Sequence, residues 1–169
     1  MSKETVVFTS GSWDLFHRGH LNVLRRSKAL GDKLIVGVST DELIEDYKGL
    51  PPVIPFDERM EIVGAISCVD VVVKQTILTE IAQLKKYHVD IVTIGDDWKD
   101  RYLEGLEWMK NHGRVVYLPY TEGVSTTSIK RKIIDNTYAM ISAELRRELE
   151  RAEEWKQKQV GKKQRTKRR

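Results

Sequence analysis

The chain has 169 residues, 40% of them hydrophobic, with Cys68 its only cysteine; that length suits one domain with a real core, leaves no room for a second catalytic domain, excludes an intrachain disulfide, and points to the reducing cytoplasm. No apolar run approaches the ~20 residues needed to cross a bilayer, and Met1 to Thr5 lacks the apolar stretch of a signal peptide, so neither a membrane span nor export by that route is expected. The formal charge of +4 belongs to the tail: Lys156 to Arg169 hold eight basic residues and no acid, which leaves residues 1–155 at a net of −4, a mildly acidic body of the kind a small-molecule enzyme has.

In chain order the first predicted element is a strand, Val6 to Thr9. It leads through Gly11-Ser12-Trp13-Asp14-Leu15-Phe16-His17-Arg18-Gly19-His20 into helical spacing at Leu21, Leu24, Ala29 and Leu30. Two imidazoles separated by a glycine therefore stand at the opening turn of a helix that leaves the carboxyl end of a strand. Strand ends form a crevice there, and the helix terminus offers unpaired N–H groups and partial positive charge, so a phosphate is the expected ligand. Gly19 is read as letting the backbone approach the anion, and His17 and His20 as donors to a phosphoryl oxygen that gains charge, either as neutral tautomers or as imidazolium. A plain surface or metal-binding histidine pair is the alternative.

Gly31-Asp32 closes that helix, Leu34 to Val38 is the second strand, and Ser39-Thr40-Asp41-Glu42 opens the next helix with Thr40 or Ser39 as its cap. Pro51, Pro52 and Pro55 make Lys48 to Pro55 a loop, either a binding lid or a plain connector, and a helix opens at Asp57. Cys68, read as a buried inert thiol, precedes a third strand, Val69 to Val73, and Ile77, Ile81 and Leu84 carry helical spacing after it. Strands follow at Ile91 to Ile94 and Val115 to Leu118. Because these runs are continuously Val- and Ile-rich rather than alternating, an α/β fold is expected, with five parallel strands covered on both faces.

The segment after the last strand, Pro119-Tyr120-Thr121-Glu122-Gly123-Val124-Ser125-Thr126-Thr127, places hydroxyls at a helix start and a glycine where an unusual backbone angle is allowed. It reads as a second anion cradle, or as a Ser/Thr cap without a ligand. Two anion sites at neighbouring strand ends suggest a polyphosphate. From Ser142 to Trp155 the residues Ala143, Leu145, Leu149, Ala152 and Trp155 form a narrow apolar stripe among Glu and Arg, which packs back on the domain or on a second copy; Gly161 to Arg169 is expected to be disordered. The expected division is a catalytic domain over 1–135, a helical extension over 136–158 and a disordered basic tail over 159–169.

Together the His17-Arg18-Gly19-His20 turn, the Gly95-Asp96-Asp97-Trp98 segment and the Thr121 to Thr127 turn resemble the cytidylyltransferase branch of the nucleotidyltransferases, over roughly Val6 to Ile134. The Gly-Asp-Asp-Trp segment draws it toward members that act on glycerol 3-phosphate. The resemblance implies a three-layer Rossmann-like nucleotidyltransferase fold with a C-terminal helical extension, and a homodimer. It also implies in-line attack of an alcohol phosphate on the α-phosphorus of CTP, giving CDP-glycerol and pyrophosphate, with Mg²⁺ or another divalent cation bound mainly through the nucleotide phosphates. Carried over, His17 and His20 are catalytic. Ser12, Trp13, Arg18, Gly19, Asp97, Tyr120, Thr121, Glu122, Gly123, Val124, Ser125, Thr126 and Thr127 bind the nucleotide, with the three hydroxyl residues on the leaving phosphates. Lys48 and Arg59 bind substrate or are solvated surface charges; Asp14 orients the turn; Asp96 and Asp97 read the nucleotide or hold the Trp98 loop. Tyr120 and Ser67 stand where the family usually has arginines, and Lys130 and Arg131 are the nearest replacements by position. The competing readings are the same fold using ATP or another acceptor, as in FAD synthase-like or heptose phosphate enzymes, and a catalytically weakened nucleotide-binding protein whose basic tail contacts polyanions.

Overall fold

A computed structural model describes residues 3–166. Five strands, β1 (Val6–Gly11), β2 (Lys33–Ser39), β3 (Val71–Gln75), β4 (Ile91–Gly95) and β5 (Arg114–Leu118), form one parallel sheet in the order β3-β2-β1-β4-β5. The chain builds β1, β2 and β3 outward in one direction and then returns to the other side of β1 for β4 and β5. That reversal opens a crevice at the carboxyl ends of β1 and β4.

Successive strand residues point to opposite faces, so both faces must be covered for a run such as Val6-Val7-Phe8 to be stable. Phe8, paired with Ile35 and Val92 in the sheet, packs with Val73 and with Leu84, Leu106 and Met109 of α4 (Ile81–Lys86) and α5 (Glu104–His112). Val7 faces the other way and packs with Leu34, Val36 and Val38, with Leu24 of α1 (Arg18–Lys28) and with Val63 of α3 (Phe56–Gly64). Between β2 and α3 lies α2 (Asp41–Lys48), capped by Thr40, whose hydroxyl accepts from Leu43 N, and closed by Gly49 at φ 76°. The expected five parallel strands with helices on both faces are thus present.

The local differences have simple causes. The third strand begins at Val71 because Asp70 is spent on the turn: its carboxylate accepts from Leu34 N at 2.6 Å while its own N–H bonds Leu34 O. The helix expected around Ile77 begins only at Ile81, after Thr79 turns the chain at φ 51°. Cys68 is half-buried rather than buried, at the edge of the core layer that holds Val63.

Two compact units divide the chain, residues 1–126 and 127–169. The last helix, α6, runs from Thr126 to Thr166, so the expected boundaries at 135 and 158 fall inside one helix, and the backbone from 159 to 166 is helical where disorder was expected. Its Ala, Leu, Glu, Lys, Arg and Gln content favours continuation, and one internal glycine, Gly161, costs only about 1 kcal/mol against alanine. Residues 167–169 lie outside the described residues, as do the side chains of the tail cations beyond Lys158. No helix among the described residues is long and apolar enough to cross a membrane.

A buried hydroxyl cluster joins α1 to the sheet: Ser27 Oγ lies 2.6 Å from Thr93 Oγ1 and donates to Val23 O, while Thr9 Oγ1 donates to Thr93 O. Ser27→Ala leaves Thr93 with a poor partner in a dry site. It is expected to lower stability by about 1–2 kcal/mol, read as a shift in the urea midpoint at unchanged m-value.

Candidate active site

The turn between β1 and α1 is built on strained backbone. Trp13 and Leu15 occupy left-handed angles at φ 55° and 47°, each a cost of order 1–3 kcal/mol that surrounding contacts must offset. One such contact is Trp13 Nε1–H, which donates to Gly37 O at 2.9 Å while the indole packs into the core. Trp13 still borders the crevice, but its N–H is committed to the fold; its ring meets His20 edge-on with centroids 5.5 Å apart.

His17 is the N-cap of α1. Its Nδ1 accepts from Gly19 N at 3.0 Å, which fixes the ring proton on Nε2 and leaves that N–H as the outward donor. The Gly19 amide is therefore engaged by its own turn. Glycine is required for another reason: a Cβ at position 19 would lie 2.7 Å from His17 Cε1. His20, one turn on, stacks against His17 with centroids 3.9 Å apart and an interplanar angle of 17°. Burial, and then the neighbouring His17 and Lys48, push the His20 pKa down to about 3, while Asp14 acts in the opposite sense; burial lowers His17 as well. Both rings are accordingly neutral at pH 7, and of the two protonation states open from sequence the structure selects the neutral one.

Asp14 is buried and its Oδ1 accepts from Val53 N and Ile54 N, each at 3.0 Å, so it pins the proline loop against the turn. The Asp14 carbonyl accepts from Thr126 Oγ1 at 3.1 Å, which ties the first motif to the third. Arg59, expected to be a substrate residue or a surface charge, is neither. It is 0% exposed, donates to Ile54 O and Ser12 O, and pairs with Asp41 Oδ1 at 2.6 Å. The sequence reading failed there because an arginine on a helix after a loop carries no mark of burial.

The crevice has a volume of about 390 Å³. Of the residues expected to bind nucleotide or substrate, Ser12, Trp13, His17, Gly19, His20, Lys48, Asp97, Tyr120, Thr121 and Val124 line it. Arg18, Glu122, Gly123, Ser125 and Thr126 do not, nor does Arg59. Arg18, Glu122 and Gly123 are exposed, Gly123 turning the chain at φ 77°; Ser125 and Thr126 sit at the head of α6, whose second residue is Thr127. Lys48 Nζ donates to Ser12 Oγ at 3.0 Å.

Several lining residues are silent in the sequence. Over β2 and β3 they are Ser39, Tyr47 and Gln75: the Tyr47 hydroxyl bonds Ser12 and Ser39, and the buried Gln75 accepts from Ser39 Oγ at 2.9 Å while its Nε2 has no partner among the described residues. Over β4 the guanidinium of Arg101 lies 4.9 Å from the Trp98 ring centroid and lines the same crevice, as does Tyr120. Asn22 and Arg26 of α1 reach Thr121 Oγ1 and Pro119 O and so fasten the first helix to the segment after β5. Contacts between residues far apart in sequence, not spacing, reveal these groups.

Compared with known proteins, residues 8–132 match the profile of the cytidylyltransferase-like family. A glycerol-3-phosphate cytidylyltransferase from Bacillus spizizenii is 40% identical over 127 residues, 74% of this chain and 94% of that protein. An ethanolamine-phosphate cytidylyltransferase from Mus musculus is 39% identical over 145 residues, 82% of this chain and 35% of that protein. Among solved structures, the lipopolysaccharide core biosynthesis protein from Thermoplasma volcanium shares the fold at a TM-score of 0.56 and 24% identity, over 70% of this chain and 98% of that one.

Two outcomes follow from this geometry. Arg59→Met strands the Ser12 and Ile54 carbonyls and the Asp41 carboxylate, and calorimetry is expected to show a loss of about 3 kcal/mol. His20 titrates near 3 when folded but near 6.5 when unfolded, so between those values the unfolded chain binds the extra proton and stability rises with pH. The urea midpoint of the wild type is expected to drop between pH 7.5 and pH 5 by more than that of His20→Phe, which keeps an aromatic ring without the titration.

Proposed function

The chain belongs to the cytidylyltransferase-like family, and on that premise we propose that this nucleotidyltransferase moves CMP from CTP to glycerol 3-phosphate, releasing CDP-glycerol and pyrophosphate. The observation that carries the reading is the pair of stacked, neutral imidazoles at the head of α1, opening on a crevice with cations at both sides. An oxygen of the acceptor phosphate attacks the α-phosphorus, a new P–O bond forms, and the bond to the bridging oxygen of the β-phosphate breaks. No proton has to move at the reacting centre, so positioning and charge stabilisation carry the rate.

His17 Nε2–H is free to donate to a phosphoryl oxygen as its charge grows, because Nδ1 is engaged by Gly19 N. Neutral rings serve here, since charging two imidazoles 3.9 Å apart in a half-buried site is unfavourable before the anion arrives. Lys48, beside Ser12, holds the acceptor phosphate over β2 and β3. Arg101, Trp98 and Asp97 border the half assigned to the nucleotide, and Ser125 and Thr126 are assigned to the leaving phosphates. A Mg²⁺ carried by the triphosphate would neutralise charge on the departing pyrophosphate. Glycerol 3-phosphate is favoured over an aminoalcohol phosphate because Ser12, Ser39, Tyr47 and Gln75 line the acceptor half with neutral hydroxyl and amide groups, whereas the carboxylate among the described lining residues, Asp97, stands after β4. We assign the reaction to the cytoplasm, where nucleoside triphosphates are held.

Pyrophosphate release measured over four nucleotides and several phosphate acceptors tests the assignment: turnover is expected with CTP and glycerol 3-phosphate, and turnover with ATP or no turnover at all would overturn it. His17→Ala and His20→Ala are each expected to lower kcat on the order of 100-fold, and Gly19→Ala to follow them by displacing the His17 ring, all with native circular dichroism. Chelation by EDTA is expected to abolish turnover, restorable by Mg²⁺, while leaving the melting temperature of the nucleotide-free protein unchanged.

A further inference from the structure

Gln75, the last residue of β3, lines the crevice and is fully buried. Its Oε1 accepts from Ser39 Oγ at 2.9 Å, while its Nε2 is buried with no hydrogen-bond partner among the described residues. A buried donor left unpaired costs free energy that the rest of the fold must offset. Such a donor at the wall of a crevice points to a ligand atom that accepts from it.

The hydrogen bonds behind the amide decide which of its ends is left over. Lys48 Nζ donates to Ser12 Oγ at 3.0 Å, and the Tyr47 hydroxyl bonds both Ser12 and Ser39. An ammonium has only protons to give and repels neighbouring hydroxyl protons, so each hydroxyl in the row turns its proton away from Lys48. Ser12 then donates to Tyr47, Tyr47 to Ser39, and Ser39 to Gln75. A row of this direction must end on an acceptor, which sets Oε1 toward Ser39 and leaves the NH₂ group for a ligand. Tyr47 is held from its other side as well, its ring meeting Trp98 edge-on with centroids 6.2 Å apart.

We propose that Gln75 is a specificity-determining residue whose amide N–H donates to a hydroxyl oxygen of the acceptor, and that Tyr47 is the positioning residue that sets the amide's orientation. The inference rests on the reading of this site as one for an alcohol phosphate. The wall then offers donors at both ends, Lys48 for phosphate oxygens and Gln75 for a hydroxyl, and it selects a phosphate that carries a further free hydroxyl. An alkyl phosphate leaves the amide unpaired. An aminoalcohol phosphate brings an ammonium, which has no lone pair to accept with and turns its own protons on those of the amide.

Discrimination among glycerol 3-phosphate, propyl phosphate and ethanolamine phosphate, each with CTP, tests the assignment. The wild type is expected to prefer glycerol 3-phosphate over propyl phosphate on the order of 100-fold in kcat/KM, and Gln75→Met to bring the two within a few-fold of each other. A merely structural role would depress both and keep their ratio. Gln75→Glu keeps an acceptor for Ser39 but turns a carboxylate oxygen on the ligand; it is expected to raise the KM for glycerol 3-phosphate and to move the preference toward ethanolamine phosphate. Tyr47→Phe, which keeps the ring against Trp98, is expected to erode the preference for glycerol 3-phosphate through the acceptor KM while the KM for CTP holds. A wild type indifferent to the hydroxyl, the result if water alone satisfies the amide, overturns the proposal, as does a preference that survives in both Gln75 variants. Should Gln75→Met fail to fold, Gln75→Glu and Tyr47→Phe decide. Absence of turnover with every nucleotide defeats the functional reading, and calorimetric titration of glycerol 3-phosphate and propyl phosphate into wild type and Gln75→Met then judges Gln75 separately: an affinity ratio that the substitution leaves unchanged overturns its role.

Discussion

The buried guanidinium of Arg59 gathers three stretches of chain that sequence keeps apart: the Ser12 carbonyl in the turn after β1, the Ile54 carbonyl in the proline loop, and the Asp41 carboxylate at the start of α2. A cation removed from water is tolerable only when its donors are satisfied, so these groups hold one another in a single geometry. Asp14 works from the opposite side of the loop through Val53 N and Ile54 N. Between them the two residues hold the strained backbone at Trp13 and Leu15, and that backbone sets where His17 begins its helix. The residues nearest the chemistry thus inherit their placement from a charge network that does not line the crevice.

What that network positions is an electrically restrained site. The imidazoles are stacked and neutral, and the cations lie at the margins, Lys48 on the β2 side and Arg101 over Trp98 on the β4 side. On the proposed reaction, a polyphosphate in this crevice would meet the His17 donor and marginal cations, and stabilisation would grow as negative charge develops on the phosphoryl group. Tyr120 and Arg101 both line this crevice, the guanidinium standing on the loop after β4. The side over β2 and β3 differs in character: there Tyr47, Ser39 and Gln75 form a neutral polar wall beside Lys48.

The helical unit obeys different physics from the catalytic one. In residues 1–126 stability comes from two apolar layers closed over both faces of the sheet. In α6 apolar side chains such as Ile134, Tyr138 and Leu145 are exposed, so helix propensity and side-chain pairs along the helix carry more of the burden.

Much of the catalytic unit was legible in the linear chain, because its signals are local. Continuous Val and Ile runs require a sheet covered on both sides, glycine and hydroxyl residues after strands mark helix starts, and the His17 to His20 spacing places two rings on one helical turn. Contacts among distant residues were not legible: whether Arg59 is buried or solvated, which proton His17 carries, which of the Thr121 to Thr127 residues reach the crevice, and that Gln75 and Arg101 line it at all. The same limit explains the tail, where composition suggested disorder but helix propensity continues α6 through Thr166. Sequence determined the elements and the residue types at the strand ends, because those depend on neighbours a few positions away. Only the tertiary structure decided burial, protonation and partnership, because each is set by atoms that the fold brings together from dozens of residues apart.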